Sequence, residues 1–212
     1  MATEAANKRS LLKPVAISLT ALLAALVLLA GAWLIWILIF RPAPAGFAPT
    51  TGEASDIGSQ QTTVLQHTID ARSRESWVYF SFEERTVIPT SQDALDWDLA
   101  FRRNDVLTNG GESNPLGKGG AIDLGGVSLA EAVAPTVGFL TDATDEERGL
   151  ENPELHKWYN YNWTTHTITS KNHTYALRTS SGDAALLTFV SYYCDDGSSG
   201  CVTFQYRGHE ER

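Results

Sequence analysis

The chain has 212 residues and a formal charge of −9 at neutral pH, unevenly distributed. Residues 1–41 hold Lys8, Arg9, Lys13 and Arg41 against Glu4, a net of +3, which leaves −12 for residues 42–212. A domain so acidic is repelled by phosphate, so nucleic acid is excluded as a partner, while the length suits one ordinary domain plus accessory segments.

The accessory segments come first. Residues 1–13 form a polar tail, and residues 14–40 contain no charged side chain. As a helix those 27 residues would run roughly 40 Å, enough to cross a hydrocarbon core of about 30 Å. They exceed the roughly 7–15 apolar residues of a secretory signal, which reads as a transmembrane signal anchor. Ala43, Ala45 and Gly46 keep a cleaved signal as the competing reading. No cysteine follows the apolar run, so a lipid anchor is not expected. Three basic residues before the span and only Arg41 after it put the N-terminus in the cytoplasm and the remainder outside. Residues 41–61, with Pro42, Pro44 and Pro49 and neither strand nor helix periodicity, read as a linker.

The domain proper is expected over residues 62–208. Residues 64–69 are short and β-prone, residues 77–82 (WVYFSF) are a strand dense in aromatics, and residues 86–88 form another before Pro89. Residues 97–111, WDLAFRRNDVLTNGG, are the most ordered pattern in the chain. Trp97, Leu99 and Phe101 alternate with Asp98, Ala100 and Arg102, which predicts one buried and one polar face. Asn109, Gly110 and Gly111 then close a tight turn. Ile122 to Leu124 reads as a strand, residues 128–134 (SLAEAVA) as a short helix, and residues 140–154 as an exposed acidic loop. Residues 158–162 (WYNYN) and 166–169 follow. The last strands are 174–179, 184–193 and 202–206, the first two joined by a turn at 180–183. Such a pattern predicts an all-β antiparallel sandwich or meander.

Cys194 and Cys201 flank Asp-Asp-Gly-Ser-Ser-Gly between two strand-like runs, which predicts a hairpin tip closed by a disulfide outside the cytoplasm. A metal-binding thiol pair is the alternative, although CxxC spacing is absent. Gly117-Lys118-Gly119-Gly120 lacks the GxxxxGK[ST] pattern and reads as a turn rather than a phosphate loop. No catalytic constellation is visible, so an enzyme is not expected. Of five histidines, His156, His166 and His173 fall close together among Trp158, Tyr159, Tyr161, Trp163 and Tyr175. Imidazole binds iron or zinc and aromatic rings suit a porphyrin; exposed polar histidines on loops are the plainer reading. Arg102 and Arg103 could meet an anionic ligand, or pair with Asp98 or Asp105. Asn162-Trp163-Thr164 and Asn172-His173-Thr174 match the glycosylation acceptor pattern.

Together, WVYFSFEERTVIP, WDLAFRRNDVLTNGG, WYNYN with TTH behind it, TYALRT, GDAALLTFVSYY and VTFQYR resemble the HmuY-type haem-binding domain over residues 65–207. The resemblance implies a β-rich protein exported to the bacterial surface, which takes up haem and passes it to a transporter or surface partner. It also implies iron held by two axial His or Met side chains from loops beside the sheets. Met1 is the only methionine, and no histidine lies between Phe101 and Leu155. The resemblance therefore points to His166 as the metal ligand and to His156 or His173 as its partner, with Tyr159, Tyr161 and Trp163 lining the ring. The expected function is a membrane-anchored, extracytoplasmic haem- or porphyrin-binding protein for haem-iron acquisition. The alternative is a surface β-domain for protein–protein interaction without haem.

Overall fold

The computed structural model describes residues 2–40, 42–57 and 63–208, with the side chains of residues 2–18 and 38–39 outside that description. Arg41, the end of the linker and His209 also fall outside it. The chain divides into two units, Met1–Ala43 and Pro44–Arg212. The first is a single helix, α1 (Ala2–Ile39), which runs through Pro14 and beyond the charge-free stretch. Its Leu19–Ile37 segment is long and apolar enough to span a bilayer. Leu22, Leu26, Leu29 and Trp33 are all exposed along it. A helix apolar on every side is stable only where lipid or protein covers it, which fits a signal anchor.

The second unit is mostly antiparallel β, as expected. A seven-stranded sheet has the order β2 (Ser55–Asp56), β3 (Leu65–Asp70), β15 (Ser199–Arg207), β14 (Ala184–Cys194), β13 (Thr174–Arg178), β8 (Gly120–Asp123), with β1 (Gly46–Phe47) added parallel to β14. A four-stranded sheet has the order β5 (Thr86–Ile88), β4 (Val78–Ser81), β6 (Leu99–Arg102), β7 (Asp105–Thr108). Two ribbons, β9 (Ala143–Asp145) with β10 (Gly149–Glu151) and β11 (Tyr159–Asn162) with β12 (Thr167–Ser170), complete it. The two larger sheets share one core. Phe101 of β6 stacks on Phe204 of β15 at 5.5 Å between ring centroids, and Phe80 of β4 meets the same ring edge-on at 5.1 Å.

Several expectations are corrected. The 97–111 segment is a hairpin, since Arg102 pairs with Asp105 across a two-residue turn in which Arg103 adopts φ 57°. Both of its faces are buried. Leu99 and Phe101 enter the main core, while Trp97, Ala100 and Leu107 form a second cluster with Trp77, Tyr79 and Ile88. Asp98 is not on a polar face. It is buried and accepts hydrogen bonds from the amides of Phe82 and Ser180 and from Ser180 Oγ. Burial pushes its carboxyl up, against those bonds.

Residues 128–134 make one hydrogen-bonded turn, with Glu131 N and Ala132 N donating to Ser128 O, and not a helix. Nucleating helix is costly, and Pro135 stops the segment before a second turn can offset that cost. Ala132 and Leu129 instead cover the outer face of the large sheet against Ala176 and Leu186. The acidic 140–154 stretch is not loop throughout, since it holds the β9–β10 ribbon. The linker is not a free spacer where it is described: β1 and β2 extend the large sheet. Gly46 permits this, because a Cβ there would lie 2.0 Å from the carbonyl oxygen of Cys194. Thr50 adds a reciprocal pair, its N donating to Thr68 O and its Oγ1 accepting from Thr68 N.

Candidate functional site

The sequence pattern YNYNWTTHT folds as a hairpin. Its strands are β11 and β12, with Asn162 opposite Thr167. Asn162 Oδ1 accepts from the amides of Thr164 and Thr165, shaping the loop, and His166 closes it at φ 52°. The backbone there sets the imidazole beside Tyr161, and Tyr161 Oη shares a hydrogen bond of 2.6 Å with His166 Nδ1. Trp163 packs edge-on against Tyr161 at 5.4 Å and is otherwise 81% exposed at the tip.

The hairpin is fastened to the domain at its base. Ile168 N donates to Tyr193 Oη, Ser170 Oγ to Phe189 O, and Lys171 N to Trp158 O. Asn104, in the β6–β7 turn, donates through Nδ2 to Tyr159 Oη and accepts at its carbonyl from Trp158 Nε1. The two turns are thereby held side by side, and a cleft of about 840 Å³ opens between them. Tyr161 and His166 line one side, Arg102, Arg103 and Asp105 the other, with Arg74, Tyr192 and Tyr193 completing it. Its size lies within the usual range for small-molecule sites.

The electrostatics of the cleft are opposite to those of the domain. Three arginines face one aspartate there, in a domain of net −12. Arg102 lies 3.6 Å from Asp105 and 4.3 Å over the Trp77 ring. Arg103 has no carboxylate partner among the described residues. Its guanidinium donates to the carbonyls of Arg72 and Ser199 and to Ser199 Oγ, and sits 5.6 Å over the Tyr192 ring. Arg74 likewise forms no ion pair among the described residues. Neutral acceptors orient a guanidinium without cancelling its charge, so the cleft remains cationic. Burial pushes the Tyr159 and Tyr192 phenols above their ordinary range, which keeps both protonated.

The three clustered histidines are not brought together. His156 Nδ1 bonds the carbonyl of Pro153. His173 Nδ1 lies 2.9 Å from Asp123 Oδ2. Neither lines the cleft, and among the described residues no group of three or more His, Cys, Asp or Glu is arranged to hold a metal ion. Cys194 and Cys201 form the expected disulfide, which removes the thiol-pair alternative. Adjacent arginines mark the β6–β7 turn in the sequence as a possible anion contact, but its place as a cleft wall depends on bonds to residues more than fifty positions away.

A family model described as HmuY protein matches residues 73–206. Among solved structures, a Bacteroides fragilis NCTC 9343 protein described as a lipoprotein is similar at 24% identity and a TM-score of 0.58, covering 77% of this chain and 100% of its own. A Bacteroides vulgatus ATCC 8482 protein described as HmuY-like and haem-binding is similar at 22% identity and 0.57, covering 75% and 100%. An apo HmuY analogue from Tannerella forsythia is similar at 19% identity and 0.55, covering 69% and 95%. At these identities the likeness carries the fold. No curated protein matches the chain.

Proposed function

Since the chain belongs to the HmuY family, we propose that its β-domain binds haem or a related porphyrin as cargo for iron acquisition. It does so outside the cytoplasm, tethered by α1, and delivers the cargo to a haem transporter or another surface protein. No bond of the cargo is broken, so the role is carriage and not catalysis.

One observation carries the reading. A cationic, tyrosine-walled cleft in an otherwise acidic domain presents a phenol–imidazole pair at its edge. The chemistry of that set fits haem. Phenol and imidazole are both iron ligands, the Tyr193 ring offers an apolar face, and Arg74 and Arg103 hold charge for two propionates. His156 and His173 drop out of the ligand set proposed here, because neither lines the cleft. Tyr159 supports the hairpin through Asn104 and does not face the cargo.

The test is titration of the full chain in detergent with haemin, following the Soret band under oxidising and reducing conditions. A saturable shift is expected, weakened in Arg103→Ala. Absence of any saturable shift refutes the reading and leaves the interaction-module alternative. Release of the protein from membranes by carbonate would refute the tether.

A further inference from the structure

Resting on that haem-binding reading, we propose that Tyr161 is the residue that coordinates the iron, and that His166 is a positioning residue that holds and deprotonates its phenol. An imidazole ligand is what the sequence leads one to expect, and the geometry points away from it.

The reasoning begins with the hydrogen bond between Tyr161 Oη and His166 Nδ1 at 2.6 Å. Of the two possible directions, O–H to nitrogen pairs the better donor with the better acceptor, since a phenol is more acidic than a neutral imidazole N–H. His166 Nδ1 then accepts, and the ring's single proton resides on Nε2. A protonated Nε2 has no lone pair for a metal, and Nδ1 is occupied. The Tyr161 oxygen, by contrast, donates its hydrogen and keeps its lone pairs.

Three further features agree. Tyr161 lines the cleft and is 42% exposed, so its oxygen is accessible. The other cleft phenols differ, because Tyr193 Oη accepts from Ile168 N and Tyr192 is buried. Among the described residues no second histidine lines the cleft to complete an imidazole pair. A single anionic oxygen suits ferric iron, whose porphyrin complex carries a net positive charge at the metal; tyrosine serves haem in this way elsewhere. On coordination the phenol O–H bond breaks and its proton passes to His166 Nδ1. An oxygen lone pair forms the bond to iron, and the iron's oxidation state does not change.

The experiment is resonance Raman spectroscopy of the full chain loaded with ferric haemin, excited in the phenolate-to-iron charge-transfer region. The wild type is expected to show tyrosinate ring modes, and Tyr161→Phe to lose them. Tyr161→Phe should bind iron-free protoporphyrin as the wild type does, which also shows that it folds. His166→Asn suits the positive φ at that position and should retain the modes with the phenolate C–O frequency shifted, as loss of the imidazole hydrogen bond to that oxygen requires. If the Soret shift saturates but no tyrosinate modes appear, or if they survive Tyr161→Phe, the assignment is overturned while haem binding stands. Without any Soret shift both fall together.

Discussion

His67 gives a test of how this core is built. It lies on β3 opposite Phe204, is fully buried, and neither ring nitrogen has a partner among the described residues. Its ring is 5.0 Å from Phe80 and 6.2 Å from Phe204. Burial in this aromatic setting lowers its pKa from 6.5 to about 4. Between those values the unfolded chain binds a proton that the folded one refuses, so stability falls as pH falls through the window. At pH 5 the linkage amounts to about 2 kcal/mol, and at pH 7 it is close to zero. His67→Leu removes the titration while keeping a side chain of similar volume. The difference in stability between variant and wild type should therefore move by about 2 kcal/mol in the variant's favour from pH 7 to pH 5, or roughly 4–8 °C in melting temperature for a domain this size. Near-UV circular dichroism melts of the full chain at the two pH values read this directly. A pH-independent difference would mean that His67 is solvated or paired in the folded protein, and the argument from burial would be wrong.

Other residues yield shorter tests. Replacing Cys194 and Cys201 together by serine opens the eight-residue loop they close and should cost about 2–3 kcal/mol in urea denaturation. Gly119→Ala would bring a Cβ to 2.6 Å from the backbone of Asn109, where Gly119 N donates to Asn109 O. A loss of about 3 kcal/mol is expected, whereas Gly126→Ala, with nothing within 4 Å, should change stability by less than about 0.5 kcal/mol. Asp142 is 1% exposed, and burial raises its pKa to about 6 despite bonds from Thr108 and Asn152. The folded protein thus keeps a proton that the unfolded chain has lost between about pH 4 and 6, and this contribution declines as pH rises. Asp142→Asn removes that decline, so the urea midpoint should climb more steeply from pH 4.5 to 6.5 than in the wild type. An unchanged slope would refute the assigned shift.

Much of the fold is visible in local pattern. The β-branched and aromatic runs in residues 174–206 mark β13, β14 and β15, which are buried along most of their length, and the cysteine spacing marks the β14–β15 hairpin. The charge-free run near the N-terminus is equally direct, because nothing but length and polarity decides whether a helix suits a bilayer. Where segments pack on both sides, alternation misleads. Asp98 sits at a nominally polar position, yet its carboxylate serves buried amides of two distant segments. The β6–β7 turn escapes notice because Arg103 enters the left-handed region without the glycine or asparagine that usually announces it.

The candidate site divides along the same line. Residues 158–169 mark an aromatic hairpin with His166 at its end, and the proximity of Tyr161 to His166 is a local matter of five residues and one turn. That Arg102 and Arg103 form the opposite wall is not written locally. It depends on Asn104 bonding Tyr159 and Trp158, more than fifty residues away. It is equally a tertiary result that His173 turns to Asp123, fifty residues away, whereas His156 bonds Pro153 only three residues back. The sequence by itself determined a long apolar helix followed by a disulfide-closed β-domain, since periodicity and composition act over a few residues. The tertiary structure alone decided which side chains face one another across the cleft, because the contacts that join its two walls span more than fifty residues, over which no local pattern carries information.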